Sequence, residues 1–225
     1  MLMKSCVCVI LTICLLASVS CSRPTDASLH SGYVLIDPGH GGFDGGAVAK
    51  DGTLEKHINL DVSLCLRDML TVCGMYVEMT RTVDAALVDS ADDTIRNKKV
   101  SDMRRRLALY NGAETVISIH QNHFRNPKYS GTQVFYSPNH NDGARLAQSI
   151  QNTVVGRLQP DNKREIKSVT DGIYLMHHSQ VPSVLVECGF LSNPDELSQL
   201  KNPDYRQRLA WAVMLGYWNY RMSEE

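Results

Sequence analysis

The sequence predicts an α/β fold, a single domain with a twisted, mostly parallel central sheet flanked by helices on both faces. Short apolar segments alternate along the chain with longer segments whose apolar residues recur at helical spacing. The apolar run at residues 33–36 is uninterrupted and leads into a glycine-rich loop, which is typical of a central strand buried on both faces. We find no internal repeat in the sequence.

The individual elements follow from local patterns. Gly74 supplies a stop signal for the first helix. Asn193 and Asn202 each precede a proline and are predicted to cap a helix, the first with Glu196 completing a capping box. Helices are predicted over residues 55–73, up to Gly112, over 147–158, and after each of the two caps. Strands are predicted at residues 33–36, 76–80, 115–120, 132–136, 173–176 and 181–187.

Charge and composition restrict the classes of partner. The 225 residues carry a net charge of −1 and are 43% hydrophobic, as in an ordinary soluble domain. This charge gives no reason to expect nucleic-acid binding. One basic cluster, residues 104–106, is predicted to form a solvated helix face with acidic partners.

The first 21 residues have the features of a signal peptide or of a membrane or lipoprotein anchor. A basic residue precedes an apolar run over residues 6–19, which is shorter than the roughly 20 residues of a spanning helix. Cys21 is a candidate for lipidation, although Ser18 stands where a lipobox normally has leucine. We therefore expect an exported protein, with residues 22–31 as a linker and residues 32–222 as the folded domain.

The cysteines do not suggest a disulfide framework. Three of the seven fall within the predicted domain, namely Cys65, Cys73 and Cys188. Cys65 and Cys73 lie on one predicted helix, where their Cα atoms would be about 12 Å apart, too far for a bridge. We predict buried, apolar thiols.

Candidate chemistry gathers where the predicted strands end. His40 and His120 each follow a strand, and Glu187 ends another. Open α/β sheets bind their ligands at this edge, and Glu55, at the start of the first helix, can reach it. Two histidines and a glutamate are an established ligand set for catalytic zinc, which leaves a fourth group free as general base. Spacing alone does not assign the four roles.

Four segments carry a resemblance that does assign them. They are VLIDPGHGG (34–42), LEK (54–56), ISIHQN (117–122) and VLVECGFLSN (184–193). Together they resemble, in order and spacing, the signature blocks of zinc-dependent N-acetylmuramoyl-L-alanine amidases. The resemblance covers residues 32–220 and implies that His40, Glu55 and His120 bind Zn²⁺ while Glu187 is the catalytic carboxylate. GTQVFY (131–136) and the single-domain layout are most similar to the spore-cortex amidases.

Some positions depart from the family pattern or have no assigned role. His57 and His123 are additional histidines beside the motifs. We predict a surface position for His57, because it is turned about 200° from Glu55 on the helix. Asn122 and His123 are predicted to bind substrate or to support the site. For Asp44 we expect a tight glycine turn and no ligand role.

The resemblance implies a hydrolase of the bacterial cell envelope. It would cut the amide between N-acetylmuramic acid and L-alanine in peptidoglycan, its partner, with Glu187 accepting a proton from the attacking water. Two alternatives stay open: a zinc exopeptidase acting on ordinary peptides, and a non-catalytic wall-binding module. We expect a monomer that contacts the membrane only through its N-terminal segment. Whether an activator protein is needed does not follow from the sequence.

Overall fold

A six-stranded sheet organises residues 32–88 and 94–223, the part of the chain that the computed structural model describes. The strands are β1 (Val34–Pro38), β2 (Val77–Met79), β3 (Thr115–Asn122), β4 (Gln133–Tyr136), β5 (Lys167–Ser168) and β6 (Ser183–Phe190). Their spatial order is β2-β1-β3-β6-β4-β5. The strands β2, β1, β3 and β6 pair in parallel, and β4 runs antiparallel to β6, which confirms the mostly parallel sheet.

Helices cover both faces of this sheet, as predicted. They are α1 (Glu55–Val72), α2 (Ile95–Gly112), α3 (Asp142–Leu158), α4 (Tyr174–His178), α5 (Pro194–Lys201) and α6 (Pro203–Met222). Alternate residues of β1 face opposite sides: Ile36 belongs to the core cluster with α1, α3 and α6, while Leu35 belongs to the cluster with α2 and α4. This double coverage explains why β1 is apolar over successive residues.

One strand prediction is wrong. Residues 173–176, expected to be a strand, lie largely within the short helix α4. The place beside β6 is taken by β4, and Met176 of α4 is fully buried in the core cluster that contains Leu35. A run of four apolar residues has too few positions to distinguish a strand from a buried helical turn.

Both predicted asparagine caps are confirmed. Asn193 Oδ1 accepts hydrogen bonds from the backbone N of Asp195 and of Glu196, and Asn202 Oδ1 caps α6 in the same way. The capping box is wrong. The Glu196 carboxylate instead accepts from the backbone N of Gly131 and of Phe190, both at 2.8 Å, so it ties the loop before β4 to the end of β6.

The cysteine prediction holds only in part. Cys65, Cys73 and Cys188 are free thiols, as expected. Cys188 is buried, but Cys65 is partly exposed and Cys73 is exposed, because Cys73 stands at the C-terminal cap of α1 beyond the packed face.

The N-terminal predictions lie outside the described residues. They concern the signal peptide or anchor at residues 1–21 and the linker at residues 22–31. Within the ranges 32–88 and 94–223, the helices are too short or too polar to cross a membrane.

A buried ion pair joins the end of β1 to α2, and it corrects the prediction for residues 104–106. Arg106 is only 1% exposed, and its Nη1 donates to Asp37 Oδ1. Its Nε donates to Asp102 Oδ2 at 2.8 Å. Three hydroxyl groups also donate to the Asp37 carboxylate: Thr80 Oγ1 at 2.7 Å, Tyr110 Oη at 2.5 Å and Ser118 Oγ at 2.9 Å. The basic cluster is thus solvated at Arg104, whereas Arg106 lies in the core.

The surroundings of Asp37 keep it ionised. Burial by itself raises the pKa of this carboxyl, but the Arg106 guanidinium and the hydroxyl donors outweigh burial and hold the pKa far below its usual value. A buried ion pair of this kind stabilises the fold little more than an apolar pair of the same size would. Loss of one partner is nonetheless strongly destabilising, because it leaves the other charge buried and unpaired.

We expect Arg106→Met to lower the free energy of unfolding by about 3–5 kcal/mol at pH 7, because it leaves the buried Asp37 carboxylate without its cation. The lowered pKa of Asp37 means that its contribution is present above the unfolded pKa of about 4 and is lost as the pH falls further. Urea unfolding at pH 7 and at pH 3 measures both effects. The difference in the free energy of unfolding between wild type and variant should be smaller at pH 3 than at pH 7.

The matched control is Arg104→Met, two residues away on the exposed side of α2. It should change the free energy of unfolding by no more than about 0.5 kcal/mol. Equal effects of the two substitutions would show that the buried pair has no special importance.

Candidate metal centre and catalytic cleft

The predicted site residues meet at the carboxyl edge of the sheet. His40 follows β1 by two residues, His120 lies near the end of β3, and Glu187 lies in β6. His120 and Glu187 are direct register partners across the β3–β6 pair. Glu55 is the first residue of α1 and is brought to the same edge by the loop that follows β1.

The conformation of His40 is unusual and is held from several sides. Its φ of 62° lies in the left-handed region, which disfavours residues with a side chain. Arg106 Nη2 donates to the His40 carbonyl at 2.8 Å, and His40 Nδ1 lies 3.0 Å from Asp44 Oδ2. Because Asp44 occupies Nδ1, the opposite nitrogen, Nε2, is directed to Glu55 Oε2 at 3.3 Å.

Glu55 is fixed through both of its oxygens. Oε2 accepts from the backbone N of Ala47 at 2.8 Å. Oε1 accepts from the backbone N of Gln121 at 3.0 Å and from Asn59 Nδ2 at 3.2 Å, and it lies 3.0 Å from His120 Nδ1. The carboxylate is only 3% exposed, so it is a preorganised, buried anion between two imidazoles.

These three side chains fit a metal ion. One ligand atom from each of His40, Glu55 and His120 lies within 4.8 Å of the other two. Glu55 Oε2 lies 3.3 Å from His40 Nε2 and Glu55 Oε1 lies 3.0 Å from His120 Nδ1, so each imidazole is about one ligand–ligand spacing from the carboxylate. The Asp44 contact supplies the carboxylate partner that a metal-binding histidine usually has on its other nitrogen.

Two positions in contact with these side chains have no space for a Cβ atom and are glycine. A Cβ atom on Gly39 would lie 2.3 Å from the His120 ring. A Cβ atom on Gly46, whose φ is +69°, would lie 2.6 Å from both Glu55 Oε2 and the His40 ring. The glycines of this loop therefore allow the ligands to converge.

Electrostatics at the three groups favour a bound cation. Burial lowers the pKa of His40, but its hydrogen bonds to Asp44 and Glu55 outweigh burial and raise it to about 9. The pKa of Glu55 is raised by burial, and the two imidazoles overcome this and hold it far below its usual range. A proton on His40 occupies the position that a metal ion would take.

Glu187 differs from Glu55 in its hydrogen bonding and in the direction of its pKa shift. Its Oε2 is buried and has no hydrogen-bond partner among the described residues. Burial raises its pKa to about 7, a rise that nearby His120 opposes and Glu55 reinforces. A carboxyl group whose pKa lies near neutrality is suited to accept and return a proton.

A cleft of about 330 Å³ joins these groups to solvent. His40, His120 and Glu187 line its floor. Its walls come from α2, through Met103 and Arg106, and from α4 and the residues just before it. A substrate in the cleft would therefore lie beside both imidazoles and Glu187, with Glu55 behind them.

Comparison with known proteins decides the family. The family profile described as N-acetylmuramoyl-L-alanine amidase matches residues 34–217. The chain belongs to the N-acetylmuramoyl-L-alanine amidase family. A relative from Bacillus subtilis (strain 168), the germination-specific N-acetylmuramoyl-L-alanine amidase, is 37% identical over 200 residues, which cover 88% of this chain and 83% of that protein.

Solved structures show the same amidase fold. The CwlD amidase from Clostridioides difficile, in complex with the GerS lipoprotein, superposes with a TM-score of 0.82 at 37% identity and covers 86% of this chain and 100% of that chain. An N-acetylmuramoyl-L-alanine amidase from Clostridium difficile 630 has a TM-score of 0.73 at 29% identity and covers 86% of this chain and 99% of that one.

The remaining predicted residues of this amidase are not among those that line the cleft. His57 is on the surface, as predicted, with Nε2 3.5 Å from Asp84 Oδ2. Asn122 Oδ1 accepts from the backbone N of His123, which is exposed. Neither Asn122 nor His123 is among the residues that line the cleft, and their roles in substrate binding stay predictions.

Sequence reasoning missed the residues that support the ligands. Asp44 has no predicted role, yet it holds the His40 ring. Asn59 donates to Glu55, and Gln121 Nε2 donates to Asn59 Oδ1 at 3.1 Å, which extends the network into the core. Asn59 is four residues after Glu55 on α1, so helical spacing was an available signal for that contact.

We expect Glu187→Gln to stabilise the metal-free protein at pH 8 by an amount of the order of 2–3 kcal/mol. A carboxyl with a raised folded-state pKa favours the folded state below its unfolded pKa, near 4.5, and loses that contribution as the pH rises through about 7. Glutamine does not titrate. The free energy of unfolding of the variant, measured with urea, should therefore rise relative to that of wild type between pH 5 and pH 8.

Glu165→Gln, at an exposed position, is the control and should show no such trend. A Glu187→Gln protein that is less stable than wild type at pH 8 would contradict the assignment of a buried, unpartnered carboxylate.

Proposed function

We propose that this protein is a zinc-dependent hydrolase that cleaves the amide bond between N-acetylmuramic acid and L-alanine in peptidoglycan. The observation that supports this most directly is the convergence of two imidazoles and one carboxylate beside a second, unpartnered carboxylate, in a chain of the N-acetylmuramoyl-L-alanine amidase family. Germination-specific and CwlD amidases among the relatives favour a role on the spore cortex.

Zinc is the proposed metal because of the donor set. Two histidines and one glutamate with room for water are typical of catalytic zinc, and hard cations such as Mg²⁺ prefer all-oxygen ligands. His40, Glu55 and His120 would hold the ion. When bound, it lowers the pKa of water and stabilises negative charge on a carbonyl oxygen.

The protein's own residues then move the proton. Glu187 lines the cleft, and its carboxylate accepts a proton from the water that attacks the lactyl carbonyl. The same carboxyl group returns the proton to the departing alanine nitrogen, which makes the amine a good leaving group. Asp44 and Arg106 do not meet the substrate in this scheme; they hold the His40 side chain and backbone in place.

The place of action is proposed from the same relatives. An exported protein, held at or released from the bacterial cell envelope by residues 1–21, would meet peptidoglycan without further targeting. Because the structure of CwlD was solved in complex with the GerS lipoprotein, we propose that an accessory lipoprotein is a candidate activator of this amidase.

Glu187→Gln should retain zinc and lower kcat by at least about 100-fold, because it removes the proton acceptor and leaves the ligands intact. His40→Ala and His120→Ala should lose both zinc and activity. Metal content by atomic emission and turnover of muropeptides measure the two properties separately. Near-normal turnover by the Glu187→Gln enzyme would contradict the assignment of Glu187 as the proton acceptor.

The function itself is tested by mass spectrometry of purified peptidoglycan after digestion, with Zn²⁺ or with a chelator. Zinc-dependent release of intact stem peptides that begin with L-alanine is the expected result. Release of single amino acids would favour the exopeptidase alternative. Binding to the glycan without any release, in protein shown to contain zinc and supplied with the candidate lipoprotein, would favour a non-catalytic wall-binding module.

A further inference from the structure

A second cavity opens beside the catalytic cleft, between α2 and α4. It has a volume of about 310 Å³. Met103 and Tyr174 line both the cleft and this cavity, so the two form one continuous groove. Two cationic side chains, Lys99 and Arg104, and the apolar Val100 complete its described lining. The groove therefore leads from the metal ligands to a region of positive charge.

Asp44 lies between Lys99 and the candidate ligand His40. Lys99 Nζ lies 3.8 Å from Asp44 Oδ2, and the same oxygen lies 3.0 Å from His40 Nδ1. Added to the width of an imidazole ring, these contacts place the ammonium at most about 9 Å from His40 Nε2, the nitrogen directed to the proposed metal position.

Lys99 is available for a further partner. Its side chain is 56% exposed, and a separation of 3.8 Å from Asp44 is long for a hydrogen bond. An ammonium has three donors, so the contact with Asp44 leaves donors for a ligand. Arg104, five residues further along α2, lines the same cavity and adds a second positive charge.

The substrate of the proposed reaction carries an anion at a matching distance. In the stem peptide, L-alanine is followed by D-glutamate linked through its γ-carboxyl, so the α-carboxyl of that residue is free. It lies about two residues from the scissile carbonyl, or about 7 Å along an extended chain. A carbonyl at the metal position thus puts this carboxylate within reach of the ammonium.

We propose that the groove between α2 and α4 is the stem-peptide subsite and that Lys99 binds the free α-carboxylate of the second stem residue. This proposal rests on the proposed amidase function and names its specificity determinant. Amidation of that carboxyl, which gives D-isoglutamine, removes the negative charge and should weaken binding at Lys99. The enzyme would therefore distinguish amidated from non-amidated peptidoglycan.

The test compares two disaccharide-tripeptide substrates that differ only in D-glutamate or D-isoglutamine. Wild type, Lys99→Gln and Lys98→Gln are assayed as zinc-loaded enzymes. Wild type should prefer the free carboxylate in kcat/KM by about fivefold, the upper range for an exposed ion pair. Lys99→Gln should lose this preference by slowing only the D-glutamate substrate, and Lys98→Gln, on the neighbouring position of the helix, should keep it.

Other outcomes are equally informative. An equal loss of kcat/KM on both substrates in Lys99→Gln would overturn the proposal, because it would show that Lys99 acts through Asp44 and His40. In that case the zinc content of the variant would fall as well. Equal rates of wild type on the two substrates would also overturn it while leaving the amidase function intact. Cleavage of neither substrate, with the candidate lipoprotein present in the assay, would overturn the proposed function, and the subsite with it.

Discussion

The ion pair between Asp37 and Arg106 underlies the rest of the structure. It joins the C-terminal half of α2 to the carboxyl end of β1, where the chain leaves the sheet to form the site. Through a second nitrogen, Arg106 also binds the carbonyl of His40, the residue with a left-handed backbone. One buried guanidinium thus couples the packing of a helix on the sheet to the backbone of His40, the proposed metal ligand.

Two glutamates, Glu55 and Glu187, lie on either side of the histidine pair, and their different environments suit them to different chemistry. Glu55 receives backbone and side-chain donors on both oxygens and lies between two imidazoles, so it stays ionised and suits a metal ligand. Glu187 Oε2 is buried and receives no donor among the described residues, so desolvation moves the pKa of this carboxyl towards neutrality. Sequence spacing does not distinguish these roles, whereas hydrogen bonding does.

Much of the fold follows from local patterns, because β1, β3, α1 and both asparagine caps depend on apolar period and capping chemistry. The same reasoning places His40, His120 and Glu187 at strand ends, where parallel strands bring them together. It fails where a residue's role depends on distant partners. In the sequence Arg106 is indistinguishable from its solvated neighbour Arg104, and only the fold brings Asp37 beside it. Residues 173–176 are predicted as a strand, but β4 takes the place beside β6. The cavity at Lys99 exists only after α2 and α4 have packed.

The central claim is that the three ligands are already arranged for zinc while Glu187 stays free to carry a proton. The most direct measurement is anomalous diffraction at the zinc absorption edge from crystals of the zinc-loaded protein. The account predicts one strong peak within about 2.2 Å of His40, Glu55 and His120, with Glu187 outside bonding distance. A peak bonded to Glu187, or one that lacks Glu55 as a ligand, would contradict it.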